Sequence, residues 1–157
     1  MANGWSLSGA SADDVFEAAI AIEQGGVDFY EHLRSVQADA RLQKELEFLR
    51  DEEKRHRELF RSFLGTRPDG PRGASATRLM ALVQQDFIAP LSELFRSSRI
   101  ETNEDTIVFG QELEKKSISF YTALLGTVGE SRRADVEKVL GEEERHLEQL
   151  RLLRSYF

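Results

Sequence analysis

The chain writes one unit twice, and that repetition constrains its fold more than any other feature. AIEQGGVDFY at residues 21–30 is answered by ELEKKSISFY at 112–121, and DEEKRH at 51–56 by GEEERH at 141–146. In the first segment of each copy a Glu precedes, by seven residues, the Tyr of a Phe-Tyr pair: Glu23 with Tyr30, Glu114 with Tyr121. From Glu23 to Glu53 is 30 residues, and from Glu114 to Glu143 is 29. Two copies of one hairpin unit predict a pseudo-twofold arrangement with equivalent residues facing each other across its centre.

Apolar residues recur at spacings of three and four, and alternating strand patterns are absent, so the copies read as helices. The spacing predicts helices over about 11–37, 39–64, 76–98, 103–128 and 131–156, the third bent near Pro90. Ser11 with Asp14, and Asn103 with Asp105, are the expected caps. Two of the three prolines fall in GTRPDGPRGAS, residues 65–75, the one obvious linker. Short links within each copy make antiparallel hairpins, and the long connection between them crosses over. The expected fold is all-α: a four-helix bundle of two repeated hairpins (about 11–64 and 103–157) with an extra linker helix between them, all in one domain spanning 1–157.

The apolar stripe of each helix is interrupted by polar residues in its middle turns. In the second helix it runs Leu42, Leu46, Leu49, Glu53, His56, Phe60, Phe63, and in the last Val136, Val139, Glu143, His146, Leu150, Leu153, Phe157. The first helix gives Phe16, Ile20, Glu23, Val27, Tyr30, Leu33, and the fourth Ile107, Gln111, Glu114, Ile118, Tyr121, Leu125, Val128. Four carboxylates and two imidazoles therefore point into one apolar interior. An unpaired buried carboxylate is costly and normally takes up a proton. Lys54, Arg55, Lys115 and Arg145 fall off the stripes, so no basic side chain is expected to balance them. Two divalent cations would. Glu-x-x-His puts an oxygen and a nitrogen one turn apart on one face, within reach of one metal. Oxygen and imidazole donors without sulfur suit iron or manganese, and zinc can also enter such sites. Glu52 and Glu142, beside the stripe, are alternative ligands. The set matches the ferritin-like di-metal pattern of one Glu from each of two helices plus Glu-x-x-His from each of the other two.

EQGGVDFYEHL with DEEKRH, and ELEKKSISFYTALL with GEEERH, resemble the rubrerythrin-type ferritin-like di-iron proteins, in the short form without a rubredoxin domain. The resemblance covers nearly the whole chain. It implies two iron ions, ferrous or ferric, with zinc or manganese as possible substitutes. Glu53 and Glu143 would bridge them, Glu23 and Glu114 would be terminal ligands, and His56 and His146 would bind one iron each. Tyr30 and Tyr121 would hydrogen-bond the ligand carboxylates, or else be plain core aromatics. Rubrerythrins proper carry a seventh carboxylate one turn from the ligand on the fourth helix, and its exchange with a His accompanies redox change. This chain has Gln111 and Ser117 there.

The function expected from the resemblance is reduction of hydrogen peroxide or dioxygen at the di-iron site, with no catalytic side chain beyond the metal ligands. The alternatives are iron handling, by ferroxidase action or sequestration, and a metal-stabilised interaction module without turnover. With no cysteine in the chain, thiolate-bound iron is excluded and electrons must come from an external donor. The net charge of −7 argues against a nucleic-acid partner. No apolar run spans a membrane and MANGWSLSGASADD lacks signal-peptide features, so a cytoplasmic protein is expected, as a homodimer. Gly25-Gly26 inside a helix implies either close helix packing or room beside the metals for a small oxidant. His32 is expected at the surface. Leu79, Val83, Phe87, Leu91 and Phe95 of the linker helix would pack on the bundle or form dimer surface.

Overall fold

The computed structural model describes Trp5, Leu7, residues 9–64, 73–97 and 100–157, apart from the side chains at 94, 95 and 97. The helices are α1 (Ala12–Val36), α2 (Ala40–Phe63), α3 (Ala74–Val83), α4 (Ala89–Ser97), α5 (Asn103–Leu125) and α6 (Glu130–Leu153). A π-turn (Gln84–Ile88) joins α3 to α4, and a 3₁₀ turn (Arg154–Tyr156) follows α6. No strand occurs among the described residues. Most of the linker, residues 65–72, and the Phe95 side chain lie outside them.

Each helix start has a local cause. Ser11 and Asp14 form the expected capping box at α1, each side chain accepting from the other's backbone N–H at 3.1 Å. Asp39 caps α2 by accepting from the N–H groups of Arg41 and Leu42. At α5 the expectation is corrected by one residue. Thr102, not Asn103, is the cap, because its hydroxyl reaches the Asp105 N–H while the Asp105 carboxylate reaches back.

The three-residue link from α1 to α2 and the four-residue link from α5 to α6 force antiparallel hairpins. The first link also ties the hairpins together. Gln37 is buried in it and donates through Nε2 to Thr106 Oγ1 of α5 at 3.0 Å. The expected seams of α2 and α6 are buried, except that Phe63, Leu153 and Phe157 at their ends are only half-buried. On α1, Ile20 is half-buried while Ile22 is fully buried, because α1 also packs against α3 and so hides a second face.

The α5 seam differs more. It runs Ile107, Gly110, Glu114, Ser117, Tyr121, Leu124, with Gln111, Ile118, Leu125 and Val128 only half-buried. Gly110 is the reason. A Cβ there would stand 3.1 Å from Leu150 Cδ1 and 3.5 Å from Tyr30 Cε1, so the neighbouring side chains approach where α5 is thinnest. That rotates polar Gln111 toward the edge.

The crossover meets Pro90 with an insertion in its helical turn. A proline ring clashes with the carbonyl four residues back and offers that carbonyl no N–H. Here the carbonyl belongs to Asp86. The chain widens into the π-turn just before the proline, with Ala89 N–H bonded to Gln84 O, and Lys116 Nζ of α5 lies 3.5 Å from Asp86 O. Leu79, Val83, Phe87 and Leu91 are buried within this chain. They are packing residues here.

Candidate metal centre

Six polar side chains meet at mid-height of the bundle: Glu23 from α1, Glu53 and His56 from α2, Glu114 from α5, Glu143 and His146 from α6. None is more than 4% exposed. Each comes from the middle of its helix, where the repeat places it on the inward seam. Leu49 and Phe60 close the interior on either side along α2, and Phe60 stacks on Tyr121 with ring centroids 5.5 Å apart.

The ligand-type atoms form two quartets, Glu23–Glu53–His56–Glu143 and Glu53–Glu114–Glu143–His146, each within 4.8 Å. The quartets share Glu53 and Glu143. His56 Nδ1 lies 2.9 Å from Glu143 Oε1, 3.7 Å from Glu23 Oε1 and 3.9 Å from Glu53 Oε2. His146 Nδ1 lies 3.5 Å from Glu143 Oε2 and 3.8 Å from Glu114 Oε1. The two imidazoles are nearly parallel, 6.1 Å apart.

The tyrosines cross between the repeats. Tyr30 Oη of α1 donates to Glu114 Oε1 of α5 at 2.6 Å, and Tyr121 Oη of α5 donates to Glu23 Oε1 of α1. Both are fully buried. Of the two residues one turn from Glu114, Ser117 is buried and Gln111 half-buried, and neither brings a carboxylate. Gly25 and Gly26 both serve close packing. A Cβ on Gly26 would stand 3.2 Å from Glu53 Cγ, and one on Gly25 would stand 2.8 Å from Ile88 Cδ1 and 3.1 Å from Phe87 Cε1. His32 is exposed, as expected.

The electrostatics follow from burial. Desolvation and then the charge of Glu143 push the Glu53 and Glu114 carboxyls well above the ordinary carboxylate range. Burial acts the same way on Glu143, but hydrogen bonds with Glu114, His146 and His56 overcome it and hold that group below the range. Burial opposes charge on His56, yet its contacts with Glu143 and Glu23 win and raise it to about 10. Burial, then the nearby carboxylates, keep Tyr30 and Tyr121 protonated as donors. Without metal, then, negative charge settles on Glu143 and protons on Glu53, Glu114 and His56.

The side chains at this place are able to hold a cation. Among the described residues, the buried side-chain atoms without a hydrogen-bond partner are Glu23 Oε2, Glu53 Oε1, Glu114 Oε2, Glu143 Oε2 and His146 Nδ1. All belong to the six. Buried polar atoms normally have partners, and five partnerless ones gathered in one place form a donor set that could hold metal.

Two features outside the six go beyond the sequence reading, in which Glu142 is only an alternative ligand and Arg55 lies off the seam. Glu142 is buried, and its Oε2 lies 3.0 Å from Nε2 of His56, across the bundle from its own helix's His. It serves the opposite imidazole from outside the cluster. Arg55 leaves its off-seam position to donate to Glu142 and, at 2.8 Å, to Glu52. This adds one buried carboxylate and one cation, so two divalent cations still balance the four inner carboxylates. The sequence did carry a signal for this: a second Glu precedes the ligand Glu in both hexapeptides. Its reach to the other hairpin depends on how α2 and α6 face each other.

An all-helical bundle with a buried carboxylate–imidazole cluster able to hold metal defines the ferritin-like class. The Rubrerythrin family model matches residues 14–154, and the chain belongs to that family of ferritin-like di-iron proteins. Comparison with curated proteins and with solved structures gives no match. No helix among the described residues is long and apolar enough to cross a membrane.

Proposed function

We propose that the chain is a non-haem di-iron oxidoreductase that reduces hydrogen peroxide, or alternatively dioxygen. The observation that carries this reading is the pair of quartets sharing Glu53 and Glu143, with all five partnerless buried atoms belonging to them. In this reading two irons would be held by the two quartets, one by Glu23 and His56, the other by Glu114 and His146, with Glu53 and Glu143 common to both. Bound iron would supply two one-electron equivalents, which with two protons convert hydrogen peroxide to two waters.

The chain's own work is to hold and orient. Glu142 takes the Nε2 proton of His56 in a hydrogen bond, which leaves Nδ1 to face the cluster. Tyr30 and Tyr121 each donate to one oxygen of Glu114 and Glu23, fixing the carboxylate planes and leaving the second oxygen for metal. The apolar layers exclude bulk water, which strengthens every charge interaction inside. No side chain is needed as a nucleophile. Ser117 and Gln111 supply no seventh carboxylate, so a ligand exchange of that kind has no group to perform it. The reading includes a separate electron donor, since the chain has no cysteine, and a cytoplasmic homodimer.

The test is anaerobic addition of ferrous iron followed by peroxide or air. A near-ultraviolet band that forms within the mixing time and bleaches with a reductant, at two irons per chain, is the expected result. An iron-to-protein ratio far above two would make the chain a storage protein, and stoichiometric metal that never changes colour would make it a structural one.

A further inference from the structure

The six inner side chains obey the repeat, but their hydrogen bonding does not. In the quartet Glu53–Glu114–Glu143–His146 every residue keeps one buried atom without a partner, the imidazole Nδ1 included. The quartet Glu23–Glu53–His56–Glu143 lacks that property at its imidazole. His56 is engaged at both nitrogens, Nδ1 at 2.9 Å from Glu143 and Nε2 at 3.0 Å from Glu142.

The outer shell reinforces the difference. Glu142 is itself held by Arg55, which also grips Glu52. The repeat mates of these residues do not reciprocate. Glu52 Oε1 stands 3.9 Å from His146 Nε2, too far for a hydrogen bond. Arg145, the mate of Arg55, lies back along its own helix, with Nη1 3.9 Å from where a side chain on Gly141 would begin. His146 instead meets the edge of Phe48, with centroids 6.1 Å apart.

We infer that the two metal positions fill in order: a first divalent cation enters the Glu114–His146 position, and the Glu23–His56 position binds second and more weakly. The inference rests on the di-metal reading above. A cation at the Glu114–His146 position finds one partnerless atom on each of its four residues, the imidazole Nδ1 included. A cation at His56 must first separate Nδ1 from Glu143, while Arg55 and Glu142 hold the ring where it is. Glu142 and Arg55 are thus positioning residues that act on the metal through His56. The first cation also draws on Glu143, loosening its grip on His56, so the second step depends on the first.

Divalent cobalt is a suitable probe, because its absorption reports its coordination without turnover. With one equivalent of cobalt per full-length chain, anomalous diffraction should show the metal mainly between Glu114 and His146. Calorimetry should resolve two steps separated by about tenfold or more in affinity. His146→Ala should remove the tight step and His56→Ala should spare it, with helical content checked by circular dichroism in both. Equal occupancy of the two positions at one equivalent, or cobalt first at His56, would overturn the order while leaving the di-metal reading intact. No cobalt at either position with two equivalents present would overturn both.

Discussion

At Gly26 an added Cβ would stand 3.2 Å from Glu53 Cγ and 3.3 Å from Glu53 Cδ, so the carboxylate has no room to retreat. In a helix interior Gly→Ala ordinarily stabilises by about 1 kcal/mol. Gly26→Ala should therefore leave the unfolding free energy within about 1 kcal/mol of the parent. It should also weaken metal binding by about tenfold or more, the scale of a disturbed ligand orientation. Denaturation and metal titration on the same sample check the two halves; unchanged affinity would mean that Glu53 does not need its present pose. Removing both shared carboxylates goes further. Glu53→Ala with Glu143→Ala should abolish bound metal while preserving helical circular dichroism, and undiminished metal content would refute the bridging role. Residue-level reading brought the six inner side chains to one buried place because each sits on its own helix's apolar seam. It did not reach the pairing of Arg55 on α2 with Glu142 on α6, which joins two helices where spacing along one helix gives no guidance.

The hairpin helices were legible to within a few residues, since Ser11, Asp39 and the short links mark their ends. The α5 seam was not, because stepping by four then three and by three then four passes through the same Ile107, Glu114 and Tyr121. Only the close approach at Gly110 decides between them. The π-turn was legible only as a bend at Pro90. A proline announces that a helix must yield, while the way it yields depends on what lies beneath, here Gly25 of α1 against Phe87 and Ile88. Phe87 is fully buried in that turn. Phe87→Ala should cost about 3–5 kcal/mol, the range for emptying a large aromatic site, in equilibrium unfolding. It should not change metal stoichiometry, because Phe87 is not one of the six residues of the two quartets. A loss below about 1 kcal/mol would show that the crossover is a strap on the bundle and not part of its core.

For the molecule as a whole, the cluster ties stability to pH in a direction that metal should cancel. Glu53 and Glu114 have folded-state pKa values above their ordinary value of 4.5, so the folded, metal-free chain binds more protons than the unfolded one. Their contribution is fully present below 4.5 and is lost as pH rises through the raised values. His56 acts in the same sense, its contribution present below 6.5 and lost as pH approaches about 10. Glu143 and the surface residue Glu31, lowered to about 2 beside Arg34 and Arg50, act oppositely, losing theirs only as pH falls below 4.5. Metal-free protein should thus lose stability between about pH 5 and pH 9, while the metal-loaded form holds a flatter profile, because bound cations replace the protons. Urea midpoints across that range decide it, and a chelated protein that grows more stable with rising pH would contradict the account. The crossed bonds, Tyr30 to Glu114 and Tyr121 to Glu23, carry a last consequence. In each half of the duplicated chain the inner carboxylate, Glu23 or Glu114, accepts not from its own tyrosine but from its counterpart's. The arrangement is therefore a mutual proof of correct assembly, complete only when the two halves have met.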